Sequence, residues 1–216
     1  MVSVIDLPQP APAIESDVER AAFYRVLAHF LSNPPRIAEL TAASGLVGDR
    51  SQLGEAIRRF ADCAGAADII VAGEQFQRLF IGLGGGELTP YASFYLTGSL
   101  HDRPLIKLRE DMRRIGVRRA AGTMEPEDHA ATVMEILGGL LDGRFHADPD
   151  FTREFFDAHA ASWLPQFFAD LSAVENAPLY AALGNVGVVF LQQEQSVFLG
   201  SLAAQPVSST DGSTRM

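Results

Sequence analysis

The chain's apolar residues recur at helical spacing almost from end to end, interrupted by proline and glycine, and no stretch sustains the period-2 alternation of a half-buried strand. Val18, Ala22, Val26 and Phe30, with Tyr24, Leu27 and Leu31, give the first stripe. Ser16 precedes it as N-cap and Glu19 completes a capping box. Asn33-Pro34-Pro35 ends it, because a residue before proline is pushed out of the helical region. Helices are predicted next over 36–43, ending near Gly45, over 51–64, and from about Ala67 through Phe80. Gly82–Gly86 break the pattern. Residues 89–100 read as a turn and a short aromatic helix. Pro104 suits the first turn of a helix carrying Leu105, Leu108 and Met112 that stops at Gly116. A loop over 117–124 leads to a helix predicted from Pro126 to Leu141. Further helices are expected from Asp148 or Asp150, from Pro165 with Ser162 as cap, and over 178–202. Val186–Phe190 could pass for a buried strand, but its flanks are helical. The expectation is an all-α domain of eight to ten helices over 16–202, with a loose arm at 1–15 and a disordered Ser/Thr/Gly-rich tail at 203–216.

A chain of 216 residues can build a core without staples, burying about 70% of its unfolded surface. With 47% hydrophobic residues it falls outside the disordered and low-complexity classes. Its net charge of −10 argues against nucleic acid as a partner, since phosphate binding needs a basic surface. The single cysteine, Cys63, excludes an intrachain disulfide and a zinc site of paired thiolates. The N-terminus has no basic region followed by an apolar run, so no secretory signal is expected, and the longest apolar run is far too short to span a bilayer. A cytoplasmic protein without stable membrane insertion is the expectation.

Few strings suggest chemistry. GLGGGE at 82–87 approaches a dinucleotide fingerprint, but Glu87 stands where the last glycine belongs, and the string follows a helix instead of a strand. It reads as a connector. It also lacks the Lys-Ser/Thr ending of a P-loop. EPEDH at 125–129 gathers three carboxylates and an imidazole; it reads as an acidic first turn, with Glu127 and Asp128 at the positive end of a helix. No His-xxx-His pair or nucleophile motif accompanies it, so neither a metal nor a catalytic residue is assigned. His101-Asp102 and His146-x-Asp148-x-Asp150 read as loop polarity and helix caps. Phe151, Phe155, His159 and Trp163 form an i, i+4 row, expected in the core. Residues 107–119 hold six basic residues against two acidic ones and read as a solvated face.

In order, the strings LFIGLGGGELTPYASFYLTGSL, PLIKLREDMRRIGV, EPEDHAATVMEILGGLL, FFDAHAASWLPQFFADL and APLYAALGNVGVVFLQQE resemble the TorD/DmsD/NarJ family over residues 18–200. The shared features are an LF-G segment, a Pro-aromatic turn, an E-P-x-D-H string and an H-xxx-W-x-P-x-F helix pair. The resemblance implies an all-α cytoplasmic chaperone, not an enzyme. Such a chaperone binds the twin-arginine signal peptide or the body of an apo-molybdoenzyme until its molybdopterin is inserted. It further implies no resident cofactor, weak GTP binding at most, and a monomer or domain-swapped homodimer. Glu125 and Asp128 would receive the client's arginines, with His129 orienting Asp128 or making the site pH-sensitive. Phe80, Pro90, Tyr91, Ser93 and Tyr95 would supply the adjoining turn and its apolar surface. Tyr91 stands where some members carry Trp, and Gly84–Gly86 form an insert. Two alternatives stay open: a NarJ-like assembly chaperone of a non-exported subunit, and a metal- or nucleotide-dependent enzyme using the 125–129 carboxylates.

Overall fold

Ser16 opens the first helix, α1 (Asp17–Ser32), by accepting from the Glu19 N–H while the Glu19 carboxylate accepts from the Ser16 N–H, so both halves of the capping box form. The computed structural model describes residues 16–82, 86–119, 122 and 125–203. The arm expected at 1–15, tail residues 204–216, and Gly84 and Gly85 lie outside these. Residue 203 closes the last helix, one position beyond the expected boundary.

The remaining elements are α2 (Ile37–Ser44), α3 (Gln52–Ala66), α4 (Ile69–Phe76) running into a π-helical turn (Gln77–Ile81), α5 (Ala92–Thr97), α6 (Arg103–Arg114), α7 (Ala130–Leu141), α8 (Pro149–His159), α9 (Leu164–Ser172) and α10 (Pro178–Ala203). The fold is all-α, with ten α-helices and no strand among the described residues. Short polar side chains open four of them: Ser51 caps α3, Asp68 caps α4, Asp102 caps α6 and Asp148 caps α8. Gly116, at φ +71°, follows the end of α6 in the left-handed conformation that glycine adopts without penalty.

Val186–Phe190 is helical, inside α10, as its flanks implied. Two expectations are corrected. Ser162 does not cap α9; Trp163 holds that position without a side-chain bond. The helix expected from Pro126 begins four residues later, at Ala130, because residues 126–128 form a turn and His129 is the N-cap.

α10 lies against α9 and α3, while α1 lies along α7. Gly184 and Gly187 permit the α9–α10 approach: a Cβ there would overlap the Ser172 backbone and the Phe168 ring. The aromatic row behaves as expected, with Phe151, Phe155, His159 and Trp163 all buried. Full burial of each large apolar side chain contributes roughly 1.5–3 kcal/mol. One core feature has no signal in local spacing. Arg20 of α1 makes a two-pronged pair with Glu194 of α10, Nε to Oε1 at 2.6 Å and Nη2 to Oε2 at 2.9 Å, with both side chains buried.

Candidate functional site

The site is built where the residues before α5 meet the turn before α7. The Ala92 N–H donates to the Asp128 carbonyl at 2.9 Å and the Ala130 N–H donates to the Pro90 carbonyl at 2.8 Å, an antiparallel bridge that sets Tyr91 beside His129. Pro126 anchors the turn, its carbonyl accepting from the His129 N–H at 3.3 Å. A helix through 126–129 could not make this bridge, because its backbone groups would be committed to the i−4 ladder.

The EPEDH residues then take separate tasks. Glu125 is the one presented to solvent, its side chain 48% exposed. Its Oε1 accepts from the Tyr91 hydroxyl at 2.7 Å and lies 3.7 Å from His129 Nε2. Burial, then the bond to Glu125, pushes the Tyr91 phenol up, so it remains a donor. Glu127 is clasped by Arg109 of α6, whose Nε and Nη2 donate to Oε2 at 3.0 and 2.8 Å. Burial is the largest single influence on Glu127 and opposes its ionisation, but the Arg109 bonds, a backbone N–H and the charges of Arg109 and Arg119 together hold the carboxyl below its usual value. Arg119 stands farther off, its Nε 3.9 Å from Glu127 Oε1.

Asp128 faces inward. It is 1% exposed, and its Oδ2 accepts from the Ser93 N–H of α5 at 2.9 Å. The cap residue of α5, Tyr91, has no short oxygen to offer, so Asp128 supplies the cap from 35 residues away. The expectation that Asp128 meets a client arginine is therefore corrected: its carboxylate is inside the protein. His129 does not orient it. The imidazole Nδ1 accepts from the Ala131 N–H at 3.1 Å, which caps α7 and leaves the proton on Nε2. Burial lowers the His129 pKa, opposed by Glu125 and Asp128. The Tyr91 ring meets the imidazole edge-to-face, with centroids 5.1 Å apart.

The other expected residues divide. Ser93 is buried, and its Oγ accepts from the Asp102 N–H at 3.3 Å, tying α5 to the start of α6. Tyr95 bonds Asp170 at 2.9 Å and leans on Trp163 and Phe167 of the α8–α9 region. Phe80 packs on Phe76 and Tyr180, against the core around the π-helical turn. In that turn the Arg78 and Leu79 carbonyls accept from Glu87 and Leu88, fastening the far side of the glycine-rich segment. The H-xxx-W string is a rivet: His159 bonds Asp111 of α6 at 2.8 Å, and the Trp163 indole donates to the His159 carbonyl at 2.6 Å.

Glu125 and Glu127 also line a cavity of about 480 Å³, together with Glu135, Arg118, Arg119 and Arg144 and apolar residues that include Val117 and Ile136. Spacing alone did not connect these groups, which converge from the end of α6, the following segment and α7. The only signal was a basic run lying shortly before an acidic one. The basic segment is thus only partly a solvated face: Arg109 pairs with Glu127, and Arg114 pairs with Asp111 and covers the Phe151 ring. Beside Tyr91, α5 leaves Phe94 and Leu96 exposed. No group of three or more His, Cys, Asp or Glu among the described residues is arranged to hold a metal ion, and no described helix is long and apolar enough to cross a membrane.

Comparison with known proteins bears on this arrangement. The family described as nitrate reductase delta subunit matches residues 48–169, more than half of the chain. The DmsD protein of Haemophilus influenzae, assigned as a Tat proofreading chaperone, is 32% identical over 124 residues, 56% of this chain and 59% of that protein. The chaperone protein TorD of Vibrio cholerae is 28% identical over 170 residues, covering 72% of this chain and 76% of that protein. A candidate redox enzyme maturation protein from Archaeoglobus fulgidus shares the fold, with a TM-score of 0.55, 20% identity, and coverage of 80% of this chain and 93% of that structure. With the family match spanning the α5 turn, the Arg109–Glu127 clasp and the EPEDH string together, the chain belongs to the nitrate reductase delta subunit family, the TorD/DmsD/NarJ group that its motifs resemble.

Proposed function

We propose that this chain is a cytoplasmic maturation chaperone, not an enzyme, that holds an apo-molybdoenzyme by its twin-arginine signal peptide until the cofactor is in place. The observation that carries this reading is Glu125. It is a half-exposed carboxylate, held by the Tyr91 hydroxyl at the edge of a cavity with further glutamates and apolar lining. A guanidinium is a planar donor that pairs well with such a carboxylate. Exposed Phe94 and Leu96, on the helix that Tyr91 starts, suit the apolar stretch that follows the arginines in such a peptide. The DmsD and TorD relatives support the chaperone role. The reading uses no resident cofactor.

The test is calorimetric titration of a synthetic signal peptide against the full chain, with its two arginines intact or replaced by lysines. The intact peptide binds more tightly, and salt weakens it, because half-exposed charges are screened. Glu125→Gln lowers affinity about three- to tenfold, less than a fully desolvated charge would cost. Equal binding of both peptides, or an unchanged Glu125→Gln variant, refutes the reading. The family description favours one second reading, an assembly chaperone for the body of a nitrate-reductase-type subunit. Under it, the client co-purifies equally well with its signal peptide deleted.

A further inference from the structure

We propose that the chain carries its own competitor for the arginine site: the adjacent pair Arg118–Arg119 lines the same cavity as Glu125, Glu127 and Glu135, and is displaced when a client's arginine pair enters. This rests on the reading above, that the cavity edge at Glu125 receives guanidinium groups.

The pair is chemically the proposed ligand, two consecutive arginines, presented from within the fold. The cavity's cations are held unequally. Arg109 is fixed on Glu127 by two short N–H bonds, and Arg144 is held by Asp142 at 3.1 Å. Arg119 reaches the same Glu127 only at 3.9 Å, through its second oxygen, with its side chain 42% exposed. Arg118 has no ion pair among the described residues. On the acidic side, Glu125 accepts from a neutral phenol and faces an imidazole whose burial favours its neutral form, while Glu135 has no cationic partner among the described residues. Among the described residues, the cavity therefore combines two carboxylates that lack a strong cation with two guanidiniums that lack a strong anion. An entering arginine pair that takes Glu125 and Glu135 meets repulsion from Arg118 and Arg119 until they turn to solvent. Arg109 keeps Glu127 neutralised throughout, so the turn that carries Glu125 stays in place. The resident pair sets a threshold: a peptide with one arginine gains too little to displace two.

The experiment compares full-length wild type with the double variant Arg118→Ala/Arg119→Ala, by calorimetry with the twin-arginine peptide at low and high salt. The variant binds about two- to fivefold more tightly at low salt, the worth of an exposed ion pair, and the gain shrinks at high salt. It also accepts a single-arginine peptide more readily. A control, Arg103→Ala/Arg113→Ala, removes the same charge from exposed positions of α6 outside the cavity, and its affinity stays within twofold of wild type. Glu135→Gln weakens binding in both backgrounds. Equal or weaker binding by the Arg118/Arg119 variant, or a matching gain in the control, overturns the proposal. Failure of wild type to prefer the twin-arginine peptide overturns the earlier reading instead.

Discussion

Replacing Asp128 by Asn separates holding the site from being the site. The Asp128 side chain is 1% exposed, and its Oδ2 accepts from the Ser93 N–H at 2.9 Å. An asparagine carbonyl oxygen can occupy the same place, so the cap on α5 survives while the acidic group is lost. A bond from a neutral donor to an acidic acceptor contributes about 1.5–3 kcal/mol, against about 0.5–1.5 for a neutral pair. Asp128→Asn should then cost about 1 kcal/mol, a fall of roughly 2–4 °C in Tm for a chain of this size. Asp128→Ala removes the acceptor and leaves the Ser93 N–H buried and unsatisfied, raising the cost to roughly 2–3 kcal/mol. Peptide affinity of the Asn variant should stay within twofold of wild type, because no arginine reaches this oxygen. The assay is a thermal melt beside a peptide titration, with Glu125→Gln as the opposite case: affinity lost, Tm kept. An Asp128→Asn variant that keeps its Tm and loses tenfold in affinity would refute the assignment of Asp128 to structure.

Arg20→Ala should be the more damaging of the two truncations of the α1–α10 pair, because it strands Glu194 in the core, whereas Glu194→Ala leaves Arg20 bonded to exposed Asp17 at 2.6 Å. Uncompensated burial of one partner costs about 3–5 kcal/mol, read as a fall of roughly 6–20 °C in Tm; equal effects of the two variants would contradict this account. Stability should also fall as pH drops from 7 to 5. Burial holds His159 below its ordinary value, opposed by Asp111, and it holds His129 below it too, opposed by Glu125 and Asp128. Both are thus neutral in the folded chain when the unfolded chain begins to take up protons near pH 6.5. Their contribution is complete above about pH 6.5 and is lost as pH falls through the depressed folded values. Burial is the largest single influence on Asp111 and raises it, but the bonds and charges of His159 and Arg114 together outweigh it and hold the carboxyl below its usual value, which extends the loss in the same direction at more acid pH. Melts across this range should show the slope, reduced in His159→Gln; a Tm that is flat or rises towards pH 5 would remove both histidines from the argument.

What the sequence disclosed was local. Capping boxes, proline stops and the i, i+4 aromatic row depend on residues a few positions apart, and Ser16–Glu19, Asp148 and Phe151–Trp163 all fall where the spacing puts them. The start of α7 misled for a physical reason. Pro126 and two acidic residues are favourable in a helix's first turn. Here the Asp128 carbonyl and Ala130 N–H are instead taken by Ala92 and Pro90, residues nearly forty positions earlier. No local preference encodes that bridge. The same holds for Arg109 with Glu127, for His159 with Asp111 and for Arg20 with Glu194.

The consequence for the site follows from how few of its motif residues are left free. Asp128 caps α5, His129 caps α7, Glu127 holds α6 through Arg109, and Pro126 closes the turn by accepting from His129. Tyr95, Trp163 and His159 brace the same helices from behind. Glu125, with the Tyr91 hydroxyl, is the part of EPEDH still able to meet an arriving cation. The EPEDH string is therefore mostly scaffold, and under the proposed reading recognition falls to Glu125 and to residues outside that string: Glu135, Arg118 and Arg119 on the cavity wall and Phe94 and Leu96 on α5. Changing which peptide is bound should then require changes at these five positions, since substitution at 126–129 perturbs the frame that presents Glu125 before it alters what Glu125 contacts.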